Sequence, residues 1–139
     1  MDEIEIKPSK EYLDVEILGE LIPLFQQNQC VANARIVADR FGHPCVEGVA
    51  LVGLPPELRY IRHCWNMIEG ENEDVHFDVT RDYCFVQSPE VIIYYPVAAF
   101  NGSEYEHLPE GDIFLSNSPE ISEQLNAQID QEEENNKNR

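Results

Sequence analysis

Between residues 12 and 25, apolar side chains fall at 13, 17, 18, 21, 22, 24 and 25. The spacing is helical as far as Pro23 and predicts a helix there. Gln26-Gln27-Asn28-Gln29 interrupts the pattern as a polar loop, and Asn28 can cap a helix starting at Gln29 or Cys30. In that helix Cys30, Ala34, Val37, Ala38 and Phe41 share one face, and Gly42 supplies a C-terminal stop. The period then changes. Residues 45–52 are β-prone and end at Gly53 and Pro55-Pro56. Residues 60–68 form a second strand whose alternation sets Ile61, His63, Trp65 and Met67 on one face. Residues 70–74 are a turn and 75–80 a third strand, so 60–80 reads as an antiparallel hairpin. A fourth strand over 91–99 contains Pro96, which limits it to an edge or a bend. Helix followed by a run of strands is an α+β arrangement, with the helix carrying Cys30 packed on an antiparallel sheet.

A chain of 139 residues that is 42% hydrophobic can bury one core. Residues 118–139 hold six acidic and two basic side chains, and their apolar positions Ile121, Leu125 and Ile129 recur every four residues. The expected organisation is one domain over 1–117 and an acidic tail over 118–139, partly helical after Ser118-Pro119 and solvated beyond Asp130. No apolar run approaches the roughly 20 residues of a membrane span. The acidic start Met-Asp-Glu-Ile-Glu-Ile-Lys lacks the pattern of a secretory signal, so a cytoplasmic location is expected. With 27 acidic against 9 basic residues the net charge is −18. That argues against direct nucleic-acid binding, which needs a basic face, and against attraction to anionic membranes.

Four cysteines, at 30, 45, 64 and 84, lack CxxC spacing, and no four-ligand zinc pattern accompanies them. Cys45, Cys64 and Cys84 read as packed thiols. His43 and His107 read as surface residues, His76 as a neighbour of the site, and Tyr94-Tyr95 as core. No Gly-rich phosphate loop is present, so neither a metal nor a cofactor is implied. Cys30 stands apart. It falls in the first turn of a helix, where the backbone dipole favours a thiolate. His63 lies mid-strand, and a hairpin centred on Gly70 sets Asp78 almost opposite it on one face. A carboxylate beside an imidazole fixes its tautomer and aims it at a third group. A helix packed on that face, with its N-terminus over His63, brings Cys30 within reach. That is the nucleophile, base and orienter set of cysteine catalysis.

The runs Gln29-Cys30-Val31-Ala32-Asn33-Ala34, Val46-Glu47-Gly48, Arg62-His63-Cys64-Trp65-Asn66 and His76-Phe77-Asp78-Val79-Thr80 follow one another in order. Together they resemble the core of papain-like and transglutaminase-like cysteine proteins, in particular small bacterial and phage members with C-x-x-N-A, E-G, H-x-W and D-x-T patterns. The resemblance covers about residues 28–80. It implies a cysteine-bearing helix on an antiparallel sheet, Cys30 as nucleophile, His63 as general base and Asp78 as the residue orienting it. The backbone N–H of Cys30 would contribute to an oxyanion hole. The glutamine that papain-like enzymes carry several residues before the cysteine falls at Leu24 here, which leaves Gln26, Gln27, Asn28 or Gln29 to serve. Asn33 would hydrogen-bond the first loop or the Glu47-Gly48 strand, and Trp65 would wall the site or fill the core.

Two classes of function follow. The first is a cysteine-dependent acyl-transfer enzyme of peptidase, amidase, deamidase or transglutaminase type. It would act on a peptide, protein or small amide, with the negative charge steering neutral or cationic substrates toward it. The second is an acidic binding or inhibitor protein that imitates nucleic acid and occupies a basic protein partner. A catalytically inactive papain-like binding module lies between them.

Overall fold

The computed structural model describes residues 3–54, 56–84, 93–108, 114, 115, 123, 126, 127, 129–131 and 134. Among the described residues these elements form an α+β fold: β1 (Ile6–Lys7), α1 (Val15–Leu21), α2 (Cys30–Phe41), β2 (Cys45–Leu54), β3 (Glu57–Ile68), β4 (Val75–Phe77), α3 (Val79–Cys84) and β5 (Ile93–Phe100). The sheet order is β1-β4-β3-β2-β5, with β1 parallel to β4 and every other pairing antiparallel.

The helix expected over 12–25 is shorter. Asp14 starts it, its Oδ1 accepting from the amides of Glu16 and Ile17 at 3.0 and 3.1 Å. Pro23 ends it in a 3-10 turn, Ile22–Leu24. The cysteine helix begins and stops where its pattern predicts, at Cys30 and before Gly42 (φ 79°). The residue preceding it is Gln29, with no side-chain cap. Asn28 does not cap it and instead takes the left-handed conformation at φ 64°, turning the chain into the helix.

β2 and β3 are long partners, pairing from Cys45↔Asn66 to Leu54↔Glu57. β5 is the edge strand anticipated from Pro96, and its register against β2 slips at Glu47/Gly48. Gly48 is required there, because a Cβ would stand 2.3 Å from the Tyr95 carbonyl oxygen and 2.8 Å from the Trp65 ring. The third strand stops at Phe77, short of the expected residue 80. Asp78 Oδ1 accepts the amides of Thr80 and Arg81 at 3.1 and 3.3 Å, so the chain turns into α3 and the β-branched pair Val79-Thr80 is helical.

The N-terminal segment was not anticipated as part of the sheet. Ile4 bridges Tyr94 on β5, and Ile6 and Lys7 pair with β4, so one short stretch touches strands at both ends of the sheet formed by β4, β3, β2 and β5. It covers the cluster of Val46, Ala50, Trp65 and Tyr94. α2 occupies the opposite face, where Val31, Ala34 and Ala38 pack with Cys45 and Cys64, and Asn66 Nδ2 donates to the Ala34 carbonyl at 3.0 Å. This corrects the expectation that α2 lies on the His63 face. Trp65 and Tyr94 fill that face, whereas the thiols of Cys45 and Cys64 leave room for a helix. The domain boundary at 117/118 and the tail residues Ser118, Pro119, Ile121 and Leu125 lie outside the described residues, while Ile129 packs beside Val49 and Tyr95. No helix among the described residues is long and apolar enough to cross a membrane.

Candidate active site

β3 and β4 pair through Asn66↔Phe77, Met67↔His76 and Ile68↔Val75. The connection at residues 69–74 is longer than a turn centred on Gly70. The register is therefore displaced by two residues, and Asp78 comes level with Trp65, diagonal to His63. A displacement of two keeps a side chain on its face. His63 Nε2 and Asp78 Oδ2 accordingly meet at 2.6 Å, with His63 4% and Asp78 1% exposed.

β4 pairs only with Asn66–Ile68 of β3, so the edge of β3 beside His63 is left to the helices. There Cys30, the first residue of α2, stands close enough to the His63 imidazole to add to its upward shift. Cys30, His63 and Asp78 are thus brought together, although α2 packs on the other face of the sheet.

The electrostatics follow from burial and pairing. Burial alone would push the imidazole down, but the Asp78 charge and hydrogen bond, with Cys30 adding to them, push His63 up to about 10. Burial would likewise raise Asp78, yet the His63 charge and the donors His63, Tyr94 and Arg81 hold it below its ordinary value. The pair is therefore imidazolium and carboxylate at neutral pH.

Asn33 takes the first of the two roles predicted for it. Its Oδ1 accepts from the Gln26 amide and its Nδ2 donates to the Gln26 carbonyl, both at 2.9 Å. The same Nδ2 reaches Thr80 Oγ1 at 2.9 Å. This strut ties the turn before Cys30 to the helix that Asp78 caps. Gln27 is exposed in that turn and Gln29 is half-buried beside Cys30. Trp65 lies against His63, with ring centroids 6.1 Å apart at 26°, and its Nε1–H donates to His76 Nδ1 at 2.9 Å. It both walls the imidazole and fills the core.

Tyr94 is the residue that sequence reasoning assigned to the core alone. Its hydroxyl donates to Asp78 Oδ2 at 2.7 Å. The only local signal was a polar tip in an apolar strand. Glu47, fully buried, accepts from the Tyr105 hydroxyl at 2.7 Å and the Leu115 amide at 2.8 Å, on the α2 side of the sheet. Cys45 and Cys64 are packed thiols, and Cys84 is half-buried near Asn33. His107 is exposed, and His43 is half-buried between Phe41 and Phe77. Among the described residues no group of three or more His, Cys, Asp or Glu side chains is placed to hold a metal ion.

Set against protein-family models, curated proteins and solved structures, the chain matches none.

Proposed function

We propose that the protein is a cysteine-dependent acyl-transfer enzyme with Cys30 as nucleophile, His63 as acid–base and Asp78 as the group that orients and charges His63. We take its core to be of the papain-like and transglutaminase-like kind. The observation that carries this reading is the buried His63–Asp78 pair at 2.6 Å with Cys30 beside the imidazole.

The chemistry balances with these groups alone. Cys30 gives its thiol proton to His63 as its sulfur attacks a carbonyl carbon, forming a C–S bond. Negative charge collects on the carbonyl oxygen near the α2 N-terminus, where the Cys30 amide serves as donor and Gln27 or Gln29 is the nearest side-chain candidate. The C–N bond breaks as His63 gives its proton to the leaving amine. Water or a second amine then attacks the thioester, His63 takes its proton, and the C–S bond breaks to restore Cys30. Peptides, proteins and small amides all suit this scheme. The charge of −18 favours neutral or cationic ones, so a basic protein is a fitting substrate. A working thiolate suits a reducing, cytoplasmic setting.

The test is iodoacetamide alkylation read cysteine by cysteine by mass spectrometry. Cys30, 8% exposed, should react at pH 6–7 ahead of Cys45 and Cys64, which are 0% exposed. His63→Gln, which retains a donor for Asp78, should slow it roughly tenfold. An inert Cys30, or one indifferent to His63→Gln, overturns the proposal and leaves the acidic surface as the functional feature.

A further inference from the structure

Tyr94 stands on β5, two strands from His63 in the sheet. Its ring packs among Val46, Ala50 and Trp65 and meets Trp65 edge-on at 5.0 Å. A phenylalanine would make the same contacts. The hydroxyl is what differs, and it donates at 2.7 Å to the same Asp78 oxygen that receives His63 Nε2 at 2.6 Å. The other oxygen, Oδ1, is held by the Thr80 and Arg81 amides. With donors on both oxygens, the carboxylate cannot turn about its C–C bond without leaving buried donors unpaired.

We propose that Tyr94 is a positioning residue of the Cys30–His63–Asp78 array, its hydroxyl holding Asp78 Oδ2 in line with His63 Nε2 and sharing its negative charge. The sharing has a direction. The Tyr94 hydrogen bond is strongest to a carboxylate with no imidazolium beside it, so it stabilises the state in which His63 has released its proton. A buried imidazolium held by an unshared carboxylate would keep its proton too firmly to pass it to a leaving group. Tyr94 moderates that hold. Its own hydroxyl stays protonated, because burial first and the Asp78 charge second push it up. The other charged or titratable groups around the pair are Cys30 on α2, and Arg81, Asp82 and Cys84 on α3. None of these donates a side-chain hydrogen to Asp78 among the described contacts.

The catalytic consequence rests on the acyl-transfer reading, whereas the experiment reads the array without turnover. The His63 ring resonances are followed by NMR against pH in the wild type and in Tyr94→Phe. The expected result is an upward move of the His63 midpoint by roughly half to one pH unit, with the other three histidines unmoved. An unchanged or lowered midpoint in folded Tyr94→Phe overturns the proposal. If that variant does not fold, the wild type is labelled with 3-fluorotyrosine, a more acidic and stronger donor. The His63 midpoint should then move down, and one of the six tyrosine ¹⁹F signals should titrate in step with it. The absence of a coupled signal overturns the proposal as well. Loss of Cys30 reactivity in the alkylation test would remove the acyl-transfer reading and leave this coupling standing, so the two failures are distinguishable.

Discussion

Replacing Asp78 by Asn isolates the charge on which the site depends. The substitution preserves size and leaves Oδ1 able to accept the Thr80 and Arg81 amides. It places an NH₂ group where Oδ2 now receives His63 and Tyr94. The displacement of His63 from 6.5 to about 10 amounts to about 5 kcal/mol favouring the imidazolium, taking 1.36 kcal/mol per tenfold change. Burial opposes that preference, so once the carboxylate is gone the imidazole should titrate below 6.5 and be neutral at pH 7. An amide hydrogen directed at Nε2 also forces the ring proton onto Nδ1. Long-range ¹H–¹⁵N spectra of the imidazole distinguish the imidazolium from both neutral tautomers. The expected wild-type pattern at pH 7 is imidazolium, and the expected Asp78→Asn pattern is the neutral Nδ1–H form. The reasoning is refuted if His63 in folded Asp78→Asn remains imidazolium at pH 8.

The same pair determines how stability varies with pH. His63 is raised in the folded state, so its contribution is complete below about 6.5 and is lost as pH rises toward about 10. Urea unfolding of the wild type should show a slope of up to about −1.4 kcal/mol per pH unit across that window, and Asp78→Asn should lose the slope. Asp78 is lowered in the folded state, so the acid side has the opposite sign: its contribution is present above about 3.8 and is lost as pH falls through its folded value. The two statements describe one interaction, and their energies do not add.

Gly48→Ala should destabilise the fold by roughly 3 kcal/mol in urea titration, since the new Cβ would meet the Tyr95 carbonyl at 2.3 Å where two backbones converge; a loss below about 0.5 kcal/mol would contradict that packing. Trp65, the single tryptophan, reports on His76 through the bond from Nε1–H to Nδ1. Burial lowers His76, with Asp74 acting the other way, so between pH 4 and 8, below the range where the neighbouring His63 titrates, Trp65 fluorescence should change as pH falls below 6.5, and the stability carried by neutral His76 is lost over the same range. A change centred above 6.5, or one that persists in His76→Gln, would show that the indole senses another group.

What the chain discloses in advance depends on how local the cause is. α2 is legible because its apolar period and Gly42 act within the helix itself. α3 is not, because Val79 and Thr80 are β-formers and only the Asp78 cap turns them into a helix. The face that α2 covers is hidden for another reason. Residues 45–51 of β2 are all buried, so alternation along the strand does not distinguish the helix side from the side covered by the N-terminal segment. The pairing of Ile4 with β5 and of Ile6 and Lys7 with β4 is tertiary throughout and leaves no periodic trace in so short a segment.

That His63 and Asp78 would meet was legible in spite of errors about their surroundings, and the strand geometry explains why. An offset of two residues in the β3–β4 register moves Asp78 along the strand without moving it to the other face. A carboxylate on the correct face then reaches the imidazole diagonally. Misplacing α2 was equally harmless, because Cys30 is its first residue and lies where β3 has no pairing to β4. The decisive economy is in Asp78. Its Oδ1 caps α3, an ordinary local preference of aspartate that ends β4 and starts a helix. That cap turns Oδ2 toward His63 and Tyr94 and commits it to a charge 2.6 Å away. Through Thr80 and Asn33 the capped helix is fixed to the turn before Cys30, so the bond that starts α3 also helps to set the distance between Cys30 and His63. Folding of residues 75–84 and assembly of the site are on this account one event, and a change that frays α3 should uncouple Cys30 from His63 before it unfolds the sheet.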